Sequence, residues 1–115
     1  MSGALFALIH RPGPAWQDGI DYREQPGIER HIGYMRRLFD EGRMVMGGPF
    51  LDDGGGLVLI EAESLDEATT LAGDDPTIRG GLLSAEVHPW RVVFRREDSG
   101  DPVSSASSSA SASPG

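Results

Sequence analysis

The segment Leu57-Val58-Leu59-Ile60 places large apolar side chains on both faces of any strand it forms, since successive residues point to opposite sides. Ala4-Leu5-Phe6-Ala7-Leu8-Ile9 does the same. A strand of this kind needs cover on both faces. The chain has only two segments with helical character, and two helices cover one face of a small sheet. The other face would remain an open apolar patch, which monomers seldom tolerate. Burying one Leu or Ile contributes roughly 1.5–3 kcal/mol, so several on an open face favour a partner. The sequence therefore predicts a homodimer joined sheet to sheet.

The elements follow in a simple order. The first apolar run, Ala4 to Ile9, ends at His10-Arg11-Pro12-Gly13-Pro14 and reads as a strand. Residues 11–26 carry three prolines and no sustained period, and read as a long loop. From Gly27 to Gly42, Ile28, Ile32, Met35, Leu38 and Phe39 fall on one stripe at helical spacing, with His31 inside it. Met44 to Phe50 reads as a strand weakened by Gly47-Gly48-Pro49. A turn at Asp52-Asp53-Gly54-Gly55 joins it to a third strand at Leu57–Glu61. Ser64-Leu65-Asp66-Glu67 is a capping box opening a short helix that stops at Gly73-Asp74-Asp75-Pro76. Leu82 to Phe94 contains a last strand, interrupted or edge-like at His88-Pro89. The pattern is βαββαβ, an α+β fold of the ferredoxin-like kind with a four-stranded antiparallel sheet.

Composition then bounds the function. The 115 residues suit one domain. From Glu97 onward the chain is Ser/Ala-rich, with Val103 its only large apolar residue, so residues 1–96 are expected to form the domain and 97–115 a disordered tail. The net charge is −8, and removing the three tail acids leaves −5. Such a balance argues against nucleic acid or an anionic membrane as partner. No apolar run is long enough to span a membrane, and no signal-peptide pattern is present, so a cytoplasmic location is expected. With no cysteine there is no disulfide scaffold, Cys-ligated zinc, iron–sulfur cluster or thiol nucleophile.

Few residues can carry chemistry. His31 lies on the apolar stripe, as a general acid/base tuned by partial burial or as a histidine at the edge of the core. Asp75 is fixed by Pro76 on a rigid corner, as a carboxylate orienting His31 or as a turn-forming residue; Asp74 is a competitor. Gly47-Gly48-Pro49-Phe50 either opens room for a small ligand or forms a bulge. Gly48, Phe50 and Trp90 are the candidate substrate-binding residues, although Trp90 and Phe94 also suit a core or dimer interface. His10, His31 and His88 have no i, i+4 pair, so a metal site would need long-range assembly and none is expected.

Several pieces together resemble the YciI-like (YCII-related) family of small bacterial proteins. They are Arg30-His31-Ile32-Gly33-Tyr34-Met35-Arg36-Arg37-Leu38, Gly42 through Phe50, Glu67-Ala68, Asp75-Pro76 and Pro89-Trp90. The resemblance covers about residues 4–94. It implies a dimeric α+β barrel and an active-site cleft around a His–Asp pair, mapping onto His31 and Asp75. It also implies a cofactor-independent lyase or hydrolase acting on a small molecule, the family including a dehydrochlorinase for a chlorinated aromatic diol. The alternative is a non-catalytic module binding a small ligand or a protein.

Overall fold

A computed structural model describes residues 3–52 and 54–96. The stretch 97–115, expected to be a tail, lies outside the described residues. Four strands, β1 (Ala4–Pro12), β2 (Met44–Pro49), β3 (Gly56–Ala62) and β4 (Leu83–Trp90), form one antiparallel sheet in the order β2-β3-β1-β4. Three helices, α1 (Ile28–Asp40), α2 (Leu65–Gly73) and α3 (Pro76–Arg79), pack on one face. This is the predicted ferredoxin-like arrangement, with α3 added. No helix among the described residues is long and apolar enough to cross a membrane.

Alternation along the strands decides which side chains face the helices. Phe6, Leu8, Val58, Ile60 and Ala62 are buried there with Ala68 and Ala72 of α2, and Met35 of α1 packs against them. A second cluster joins Ile28, Leu82 and Leu83, with Ile78 of α3 against it. The opposite parity leaves Leu5, Ala7 and Ile9 of β1 beside Leu57 and Leu59 of β3 on the open face. Met46 and Trp90 extend that face at the two edges, 60% and 46% exposed.

Helix α1 is turned from the stripe read off the sequence. Ile28, Tyr34 and Leu38 are buried, whereas Ile32 and Phe39 are about half exposed. The Tyr34 hydroxyl donates to the Leu71 carbonyl of α2 at 2.7 Å, and that bond draws Tyr34 inward. Taking Ile28 as zero and about 100° per residue, the buried sector centres near 300°, the position of His31. Gly42, at φ 81°, closes the helix: its N–H bonds the Phe39 carbonyl and that of Arg43 bonds Leu38.

Two local readings change, and β4 takes the edge-like of its two alternatives. The irregularity in β2 falls between Met44 and Met46, before the glycines. β4 runs unbroken through His88-Pro89, because it is an edge strand and Pro89 need not donate on its free side. The 11–26 segment is pinned rather than loose. Gly13 and Ala15 extend the pairing of β1 towards Leu82 and Gly81, and Tyr22–Glu24 forms a 3-10 turn. The side chain of buried Gln25 then bonds both backbone groups of Gln17 and the Ile20 carbonyl.

Candidate active site

Between α1 and the β2–β3 hairpin lies a cavity of about 240 Å³. Ile32, Met35, Met44 and Val58 make its apolar wall, Tyr22 closes one side, and His10 and His31 supply the polar groups. Gly47, Gly48 and Gly54 to Gly56 line the hairpin side. Three of these glycines are required by close approach: a Cβ on Gly55 would collide with the His10 carbonyl oxygen, one on Gly56 with the Gly48 carbonyl oxygen, and one on Gly54 with the Trp16 ring. A Cβ on Gly48 would meet nothing within 4 Å, so the wall there is open. None of the described residues lining the cavity is an arginine.

Asp75 has no exposed surface. It caps α3, with Pro76 in the first helical turn, where proline loses nothing by lacking an N–H. Its Oδ1 accepts from the Thr77 N–H at 2.9 Å and from the Thr77 hydroxyl at 2.7 Å. Its Oδ2 lies 2.5 Å from Nδ1 of His31, whose side chain is 12% exposed. Burial opposes ionisation of this carboxyl, but hydrogen bonding and charge from His31, with the two Thr77 bonds, together hold it below the usual carboxylate range. Residues 44 positions apart thus meet because α1 aims His31 at the sheet end and the Asp-Pro corner fixes Asp75 beneath it.

His10 stands next to this pair. It follows Phe6 and Leu8 on the helix-facing side of β1 and is 2% exposed. Its ring lies edge-to-face with His31, with centroids 5.0 Å apart and planes at 73°. Burial, reinforced by His31, lowers its pKa from 6.5 to about 4, against a smaller opposing pull from Asp75. The imidazole is therefore neutral near pH 7. Its Nε2 is buried without a hydrogen-bond partner among the described residues. His10, His31 and Asp75 each offer a possible ligand atom, all within 4.8 Å of one another, and are the described residues that could hold a metal ion.

The sequence-stated candidates divide. His31 and Gly48 line the cavity, with Asp75 behind His31. Phe50 sits outside it, in a neighbouring groove with Trp16, Ile20 and Leu51. Trp90 does not join the site: opposite Leu5 in register, it has the parity of the open sheet face. Asp74 points to Arg79 at the surface, 2.8 Å away. Phe94 lies beyond β4, 93% exposed. Sequence reasoning passed over His10 and Thr77. The period-2 run Phe6, Leu8, His10 carried the first, and Asp-Pro-Thr at a helix start carried the second.

The model of the YCII-related domain matches residues 4–91, nearly the whole described chain. The chain belongs to the YCII-related family. It is similar to the uncharacterised protein YjpA of Bacillus subtilis (strain 168). The two are 35% identical over 68 residues, 59% of this chain and 80% of YjpA. Among solved structures it is similar to the 5-chloro-2-hydroxyhydroquinone dehydrochlorinase TftG of Burkholderia phenoliruptrix, in complex with 2,5-dihydroxybenzoquinone. That match has a TM-score of 0.53 and 26% identity, over 75% of this chain and 93% of TftG. The YCII-related match takes in β1 through β4 and so contains every residue of the cavity.

Proposed function

We propose that the cavity is the active site of a cofactor-independent enzyme of lyase or hydrolase type, in which His31 and Asp75 form the acid/base unit. The observation that carries this reading is the 2.5 Å contact between His31 Nδ1 and the buried Asp75 carboxylate, at the wall of a small apolar cavity. With Nδ1 held by the carboxylate, Nε2 is the nitrogen left for a substrate. Neutral His31 takes a proton from a hydroxyl group, or from a carbon next to a carbonyl. The electron pair so released forms a new double bond as a leaving group departs from the same molecule. Asp75 fixes the tautomer and offsets the positive charge that develops on the ring. A positioned base of this kind contributes roughly 10²–10⁴ in rate.

The substrate in this reading is small, ring-shaped and without a permanent negative charge. The cavity has room for one ring and no arginine among the described residues that line it. The dehydrochlorinase activity printed for TftG supports a halide as one leaving group. The assembly is a homodimer closed over the open sheet face, supported by the exposed Met46, Leu57 and Trp90 there. The acidic, cysteine-free composition supports a cytoplasmic protein that acts on small molecules rather than nucleic acid. The test is chloride release from chlorinated hydroquinones. Turnover that drops about a hundredfold or more in His31→Ala and in Asp75→Asn is expected. Turnover unchanged in both variants removes the reading.

A further inference from the structure

Nε2 of His10 has no role in the acid/base unit just described. A buried polar atom without a partner is costly and rare in folded proteins. The packing of His10 does not demand a nitrogen at that position. Phe6 and Leu8, its neighbours of the same parity on β1, are apolar, and an aromatic hydrocarbon would fill the same space against the His31 face. His10 itself lines the cavity, beside the residue proposed to react. We infer that His10 is a second substrate-contacting residue, whose neutral imidazole hydrogen-bonds an uncharged hydroxyl or carbonyl oxygen of the ring on which His31 acts.

This inference rests on the reading of the cavity as an active site and adds a requirement to it. The substrate carries two oxygen functions, one facing each imidazole, with the 5.0 Å between ring centroids setting the spacing. A neutral imidazole offers a donor at one nitrogen and an acceptor at the other, so it accepts from a hydroxyl or donates to a carbonyl. It attracts carboxylate or phosphate only weakly, because it carries no charge near pH 7. His10 thereby separates phenolic and quinonoid rings from aromatic acids of the same size. The selection comes from a hydrogen bond that only the right ligand completes, which is the strongest means a small pocket has of rejecting an analogue.

The experiment compares the wild type with His10→Phe, which keeps a flat ring against His31, and His10→Gln, which restores one polar atom. Binding of 1,4-benzoquinone, a quinone that carries no charge at pH 7, is followed by calorimetry and stability by thermal melting. His10→Phe is expected to melt no lower than the wild type and to bind the quinone about tenfold or more weakly. His10→Gln is expected to recover part of that loss. Equal affinity in wild type and His10→Phe overturns the role of His10 and leaves the His31–Asp75 reading standing. A His10→Phe protein that melts well below the wild type also overturns it, since Nε2 would then have a structural partner. Stabilisation by Zn²⁺ of the wild type but not of His10→Phe assigns the nitrogen to a cation instead, and likewise overturns it. A wild type that does not bind the quinone removes the inference, while chloride release in the His31 and Asp75 variants still judges the broader reading.

Discussion

Asp75 serves two partners at once: Oδ1 accepts both hydrogen bonds from Thr77, and Oδ2 lies 2.5 Å from His31 Nδ1. Replacing it with alanine leaves two buried donors of Thr77 unpaired and uncaps α3. Asp75→Ala is expected to cost about 3 kcal/mol or more in urea unfolding. Asp75→Asn keeps an acceptor for Thr77 and is expected to cost less than half as much. A pair of equal, small losses would contradict this account of the corner.

Stability should fall on the acid side in two stages. His10 titrates at 6.5 when unfolded and at about 4 when folded, so the unfolded chain binds the extra proton between those values. Its contribution is fully present above pH 6.5 and is lost as pH falls towards 4, by about 3 kcal/mol in all. Asp75 has a depressed folded pKa. Its contribution is present above the unfolded value near 3.9 and disappears as pH drops through the folded one. Urea midpoints measured from pH 7 to 4 should show the first slope in the wild type. They should show it flattened in His10→Phe.

The glycines of the hairpin should separate by what stands beside them. Gly48→Ala meets open space and is expected to stay within about 0.5 kcal/mol of the wild type. Gly55→Ala drives its methyl group into the His10 carbonyl oxygen and is expected to cost roughly 1–3 kcal/mol. Thermal melting of the two variants checks the order.

The open sheet face should hold two copies together. Sedimentation of the wild type at micromolar concentration is expected to give about twice 12.3 kDa. Leu57→Asp, at a position 39% exposed in the single chain, should shift the mass to one copy. A wild type that sediments as a monomer would contradict the homodimer.

The fold was legible because its elements are written in local patterns. Alternation gives β1 and β3 their two faces, and Ser64 accepts from the Glu67 N–H at 3.1 Å as the capping box predicts. The rotation of α1 was not legible, because a tertiary bond from Tyr34 to Leu71 outweighs the hydrophobic ranking of Ile32 and Phe39. Helix α3 was hidden by its length, since four residues have no period to read. At the site, His31 and Asp75 stood out by local context, one inside an apolar stripe and one before proline. His10 did not, because a histidine at the end of an apolar strand resembles a strand terminus. Only the packing of α1 over that end shows that it is buried. Trp90 had two readings, a substrate contact or an interface residue, and its parity along β4 puts it on the open sheet face.

The double engagement of Asp75 bears on how relatives of this chain should be compared. A relative without the proposed reaction would still need a side-chain acceptor to start α3, and aspartate before proline supplies one. Persistence of that residue in a lineage is therefore weak testimony about activity. No helix terminus depends on His31. A relative that keeps Asp-Pro-Thr but has lost the histidine has the architecture of the corner without its use, and is the natural place to look for members of the group that only bind.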